Sequence, residues 1–352
     1  MKSIRDGFVK FLGVGAISTT LLLGAIACQA PPSNGDRATE TTDLPGAGIS
    51  VQPGRSTVQG AHFQIIIINK ALEQLGYTIK EAKELEPAPI FVAVGNADVD
   101  YIANAWEKIH TKYYENSGGD EKLIKAGVLV RDALQGYQID KETAEKYNIT
   151  SIEQLNDPEI AKLFDTDGNG KANLTGCNPG WGCESAIEHH LDAYGLRDFI
   201  DHDRGQYFAL MADTITRYES GKPILFYTWT PMWVGSILKP GTDTIWLSVP
   251  YTDLPEVQGE LSENETTVDG TNLGFAIDRI RIVANKEFAE KNPAARKLFE
   301  VVQIPIEDIN AQNRLLRDGE NTPEDVDRHA NEWIANNQEL FDSWIETAKQ
   351  VE

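Results

Sequence analysis

Trp106, Trp181 and Trp229 stand where regular structure gives way to loop. Trp106 closes "DYIANAW", Trp181 lies inside "CNPGWGC" (Cys177 to Cys183), and Trp229 closes "ILFYTW". A single tryptophan usually packs a core, and Trp233, Trp246, Trp333 and Trp344 read that way. Trp181 fits a core less well, because Gly180 and Gly182 flank it in a polar segment. Strand ends in open α/β sheets form ligand clefts. Several indole faces together suit a quaternary ammonium, which has no N–H to donate and spreads its charge over methyl groups. Each ring contributes about 0.5–2 kcal/mol to such a cation.

The same loop offers a place for an anion. "CESAIEHHLDAYG" predicts a helix starting at or near Cys183. Free N–H groups at a helix N-terminus favour a carboxylate. Cys177 and Cys183 are close enough in sequence to pair, and the bridge would hold the amides at the start of that helix still. His110 follows Trp106 by four residues, so one helical turn would project both from one face. Together these features suit a zwitterion, with a cation among tryptophans and a carboxylate at the helix N-terminus.

Other chemistries weigh less. "DTDGNGKANLTG" sets Asp165, Asp167, Asn169 and Asn173 at the spacing of a calcium loop, with Gly170 at the turn. Gly176 stands where that loop needs a bidentate glutamate, so a polar turn is the better reading and no metal is expected. Cys183 with His189 or His190 as base would make a cysteine-dependent enzyme, but a bridged cysteine is unreactive. Glu188, His189, His190 and His202 read as a solvated face. No cofactor is called for.

These residues must be positioned by a chain of 352 residues with formal net charge -22, 41% apolar and 24% charged. That is enough for two lobes. So acidic a body repels phosphate backbones, which excludes nucleic acid as a partner. Lys2, Arg5 and Lys10 precede an uncharged apolar stretch from Phe11 to Ala27, which ends in an A-x-A pattern before Cys28. This reads as a signal peptide over 1–27. Cys28, left without a partner, reads as a lipidation site that would anchor the chain to a membrane. Residues 28–43 are rich in Pro, Ser and Thr and read as a flexible tether.

Beyond residue 44 strands and helices alternate, which predicts an α/β body with a mainly parallel sheet. "AGVLVRDALQGYQID" reads as two strands across a bend. "SIEQLNDPEIAKLF" reads as a helix capped by Ser151, and "EDVDRHANEWIANNQELFDSWIETAKQ" as one long amphipathic helix. Residues 44–133 with 279–352 read as one discontinuous lobe, and 134–278 as the other.

The motifs CNPGWGC and YTWTPMW, with "LFDTDGNGKANLTG", "IVANKEFAEKNPAA" and "INAQN", resemble those of ProX-type glycine betaine/proline betaine-binding proteins of osmoprotectant ABC importers. The resemblance covers nearly all of the exported chain. It implies a type II periplasmic-binding-protein fold, with two α/β lobes joined by two crossings and a ligand cleft between them. It also implies an aromatic box of Trp106, Trp181 and Trp229, with the ligand carboxylate at Gly182, Cys183 and His110. Trp106 and His110 would come from one lobe and the rest from the other. The implied partners are a membrane permease and its ATPase, served by a monomeric periplasmic receptor; choline is the alternative ligand. The family pattern around the first tryptophan is Trp-Thr-Pro-x-His, whereas here it is Trp106-Glu107-Lys108-Ile109-His110. The enteric member is freely periplasmic, so Cys28 is a second departure.

Overall fold

In the computed structural model, which describes residues 44–351, a nine-stranded sheet runs through both halves of the chain. The expected signal peptide, Cys28 and the tether lie outside the described residues. The strands are β1 (Pro53–Ser56), β2 (Lys83–Leu85), β3 (Tyr101–Trp106), β4 (Leu123–Asp140), β5 (Ala172–Thr175), β6 (Ile200–Asp203), β7 (Leu225–Thr230), β8 (Thr244–Trp246) and β9 (Asp278–Asn285). Their spatial order is β2-β1-β3-β9-β4-β7-β5-β6, with β8 beside β4.

The expectation of a mainly parallel sheet is corrected. Only the flanks are parallel: β1 with β2 and β3, and β5 with β6 and β7. The centre is antiparallel, because β4 leaves one half and β9 returns to it. Nor is "AGVLVRDALQGYQID" two strands. It belongs to the single strand β4, which bends at Asp132 (φ 54°) without breaking. The first half of β4 pairs with β9, and the second half with β7 and β8.

Helices cover the sheet: α1 (His62–Gln74), α2 (Pro87–Gly95), α3 (Thr111–Asn116), α4 (Gly182–Ala193), α5 (Tyr207–Glu219), α6 (Pro293–Val301), α7 (Ile306–Arg317), α8 (Pro323–Asn336) and α9 (Gln338–Lys349). The isoleucine run of α1 has strand propensity, but burial of Phe63, Ile65, Ile67, Ile68, Ala71 and Leu72 outweighs it. Gly76 (φ 92°) ends the segment in a left-handed turn.

Two other expected helices are broken. The C-terminal run is α8 and α9, divided at Asn337, whose side chain donates to the Trp333 carbonyl oxygen (2.9 Å). Trp333 and Trp344 are buried and stack at 5.9 Å, as core residues do. "SIEQLNDPEIAKLF" folds as short turns of 3₁₀ and α-helix interrupted at Asp157-Pro158, since proline removes a donor. Its cap is Ser151, reciprocated by Gln154.

Among the described residues two large cores form, with a smaller cluster around Ile90, Phe91, Val94 and Ile102. One is built from residues between Val51 and Ala133 together with residues between Ile280 and Ala348, among them Phe63, Tyr101 and Phe299. The other gathers Tyr137, Phe164, Tyr207, Phe226 and Phe275, with Trp181 and Trp229 at its edge. Among the described residues no helix is long and apolar enough to cross a membrane.

Candidate functional site

The sequence places Trp106 as the last residue of β3, paired with Ile280 of β9. Alternation along the strand puts Asn104 on the same face, and the Trp106 indole N–H donates to Asn104 Oδ1 (3.0 Å). Residues 107–110 then make one turn of chain. The His110 N–H donates to the Trp106 carbonyl (3.1 Å), and the Trp106 N–H donates back to His110 Nδ1 (3.2 Å). The spacing of four residues thus joins the two, as expected, although by a turn at the mouth of α3 and not by a full helix.

The imidazole is buried and lies against Phe91 and Tyr113. Burial lowers its pKa to about 3, so the ring is neutral at ordinary pH. With Nδ1 accepting, Nε2 carries the proton and is the donor available to a ligand.

Across the cavity, the chain turns at Gly180 (φ 86°), passes Trp181 in an extended conformation and enters α4 at Gly182. No side chain caps this helix, so its first amides are not taken up in that way. Glu184 reaches back to accept from the Gly180 N–H (2.7 Å), and Gln258 donates to the Gly182 carbonyl (2.7 Å). Cys177 and Cys183 are joined by a disulfide, which is the pairing their spacing allows. It also removes Cys183 as a free nucleophile.

Gly182 is required by contact. A Cβ there would lie 2.6 Å from Ile109 Cγ1, so only glycine lets the start of α4 approach the turn that carries His110. Trp181 donates its indole N–H to Oε2 of Glu86 (3.2 Å), the residue just before Pro87 at the start of α2.

Trp229 sits one residue before the end of β7, and strand alternation puts Tyr227 on its face. Trp181 and Trp229 meet edge to face, with ring centres 5.9 Å apart and planes at 76°. They form two walls at nearly a right angle. Tyr207 and Tyr227 back Trp229 at 4.6 and 5.9 Å. Tyr227 in turn donates to Gln135 Oε1 (2.7 Å).

All six expected residues, Trp106, His110, Trp181, Gly182, Cys183 and Trp229, line one open cavity of about 940 Å³. The cavity also takes in residues that sequence reading missed: Phe91, Asn104, Gln135 and Tyr227. Strand alternation could have found Asn104 and Tyr227, each two residues before a named tryptophan.

The turn at 107–110 is held from elsewhere in the chain. Glu107 pairs with Arg279 (2.9 Å) and Arg281 (2.7 Å) of β9, and Lys108 Nζ with Glu265 (2.9 Å). Asp278, buried at the start of β9, accepts from the backbone N–H groups of Lys108, Ile109 and Arg279. The departure from the Trp-Thr-Pro-x-His pattern therefore has a structural counterpart. Lys108 supplies a backbone N–H that proline lacks.

Asp165 spends its carboxylate on loop amides, accepting from Asp167, Gly168 and Gly170 at 3.1, 2.7 and 2.8 Å. Asn169 turns toward Asp167 and Asp201. Among the described residues, no group of three His, Cys, Asp or Glu side chains is arranged to hold a metal.

The reading of Glu188, His189, His190 and His202 as a solvated face is corrected. His190 is fully buried against Tyr137, Tyr194 and Phe275, and its Nδ1 lies 2.8 Å from the Tyr137 hydroxyl. The His202 side chain is also buried, with Nδ1 2.8 Å from Glu188. Ala186 and His190, like Ile187 and Leu191, are four residues apart on α4, so His190 falls on the apolar stripe.

A family model described as the substrate-binding domain of ABC-type glycine betaine transport systems matches residues 49–336. The chain belongs to this family. It is 49% identical over 308 residues to the glycine betaine-binding periplasmic protein OusX of Dickeya dadantii, a match covering 87% of this chain and 92% of that one. It is equally 49% identical over 310 residues to the glycine betaine/proline betaine-binding periplasmic protein of Escherichia coli K12, covering 88% and 93%.

Among solved structures it resembles lactococcal OpuAC, closed on glycine betaine, with a TM-score of 0.62 at 20% identity over 84% of this chain and 99% of that one. An ABC-transporter choline-binding protein holding choline gives 0.65 at 17% identity over 84% and 91%. These likenesses establish the type II periplasmic-binding-protein fold.

Proposed function

We propose that this protein is an extracytoplasmic receptor that captures glycine betaine or proline betaine and delivers it to the permease and ATPase of an ABC importer. One observation supports the reading most. Three tryptophans, the first turn of a helix and a neutral histidine come from distant parts of the chain to line a single cavity. The quaternary ammonium sits among Trp106, Trp181 and Trp229, held by cation–π attraction. The carboxylate accepts from the amides of Gly182 and Cys183 and from His110 Nε2–H. Charge-assisted hydrogen bonds of this kind are about twice as strong as neutral ones.

Residues 44–133 with 279–352 form the lobe that carries Trp106 and His110. Residues 134–278 form the lobe that carries the rest. A ligand touching both walls favours the closed arrangement, in which Trp181 meets Glu86 and Gly182 meets Ile109. The work is capture without chemistry, done by a monomer. Titration of the purified soluble domain with each betaine, followed by tryptophan fluorescence, tests this. A saturable change is expected, and none with either ligand would overturn the reading.

Lipidation at Cys28 anchors the receptor to the membrane by its tether. Cys28→Ser should then move the exported protein from the membrane fraction to the soluble one. An unmodified, already soluble wild type would refute the anchor.

A further inference from the structure

We propose that Asp278 is a positioning residue for the ligand site. In its ionised form it clamps the turn between Trp106 and His110, and so makes betaine affinity fall as the medium turns acid. The inference rests on the binding function proposed above.

Asp278 lies outside the cavity and cannot touch the ligand directly. It is fully buried at the start of β9, where the chain returns from one core to the other. Its Oδ1 accepts from the Lys108 N–H (3.0 Å) and the Arg279 N–H (2.7 Å). Its Oδ2 accepts from the Ile109 N–H (3.1 Å) and shares that of Lys108 (3.2 Å). Every donor is a backbone amide, and two of them belong to the short segment linking Trp106 to His110. The carboxylate thus sets the turn that aims an indole at the cation and an imidazole at the carboxylate.

A carboxylic acid at this place has one acceptor oxygen and one hydroxyl. The hydroxyl would point at N–H groups that also donate, so one side of the clamp opens on protonation. Burial already pushes the Asp278 pKa up to about 6, the amides of Lys108, Ile109 and Arg279 opposing it. Ligand binding presses the turn into its aligned form, so the bound protein holds the carboxylate better than the free one. By linkage, affinity then falls as Asp278 takes up its proton.

The charged and titratable neighbours do not reproduce this behaviour. On the turn, Glu107 is kept ionised by Arg281 and Arg279 although burial opposes them. Lys108 and Glu265 form a salt bridge, which holds the Glu265 carboxyl near 2. His110 is neutral down to about 3. On β7, burial raises Tyr227 well above the usual phenol range. On β4, Arg131 and Asp132 are exposed beside Ala133, the strand partner of Asp278.

The test is calorimetric titration of the whole exported domain with glycine betaine at steps from pH 7.5 to pH 5, in wild type and Asp278→Asn. Wild type should lose about tenfold in affinity, the equivalent of one charge-assisted hydrogen bond. The Asp278→Asn protein should bind about tenfold more weakly at pH 7.5 and show a flat profile. A flat wild-type profile overturns the proposal and needs no variant to be read. A variant that keeps the wild-type slope overturns it too, since another group would then be titrating. No binding by wild type at pH 7.5 would instead strike at the betaine reading itself.

Discussion

On one wall of the cleft, Trp181, Gly182 and Cys183 sit on a loop closed on itself by the Cys177–Cys183 disulfide. On the other, Trp106 and His110 sit at the two ends of a turn whose Lys108 N–H is received by a carboxylate 170 residues further along the chain. The first wall is fixed by a local covalent ring and the second by a distant buried charge. Both arrangements limit motion of groups that the proposed function sets against one small ligand, and preorganisation of that kind contributes to affinity. They differ in what can undo them. The first responds to reduction and the second to protons, so the two halves can be weakened separately.

The largest expected effect is on the cation side. Trp181→Ala removes an indole wall and the edge contact with Trp229. It should weaken glycine betaine binding about 50-fold, whereas Trp181→Phe, which keeps a ring, should cost about threefold. Equal losses for the two variants in a calorimetric titration would remove the argument for a π face.

Next comes the anion side on the opposite wall. His110→Ala should lose about 20-fold for glycine betaine and little for choline, which has no carboxylate. Because His110 is neutral above about pH 3, its own titration contributes no pH dependence between pH 5 and 8. A pH profile that flattens in His110→Gln would contradict that.

The smallest effect concerns the staple. Replacing both Cys177 and Cys183 by serine should lower stability by about 2 kcal/mol through the lost ring closure. Thermal melting should detect this as a shift of several degrees. Betaine affinity should fall about fivefold. A melting shift with unchanged affinity would reduce the bridge to a fastener of the fold.

The same contrast explains how far the sequence could be read. CNPGWGC was legible because its tryptophan, glycines, cysteines and helix start are contiguous, so spacing alone suggests an anion site beside an aromatic ring. Trp229 was legible from its place at a strand end, whereas Tyr227 was missed although strand alternation could have found it. Asp278 was not legible. Nothing near it in sequence announces a partner at Lys108 and Ile109, and only the return of β9 beside β3 brings them together.

The antiparallel centre of the sheet was missed for a similar reason. Alternating strands and helices look the same whether a strand returns parallel or crosses between lobes. The break at Asn337 was hidden because apolar spacing continues on both sides of it. His190 was misread because its type suggested solvent, while its place on the stripe with Ala186, Ile187 and Leu191 pointed to the core.

The central claim is that both walls act on one zwitterion, with rings on the cation and fixed donors on the carboxylate. Calorimetry of the purified soluble domain with glycine betaine and with choline at pH 7.5 tests it most directly. Glycine betaine should bind at least tenfold more tightly, because only it engages Gly182, Cys183 and His110. Equal affinity for the two, or tighter binding of choline, would contradict the account.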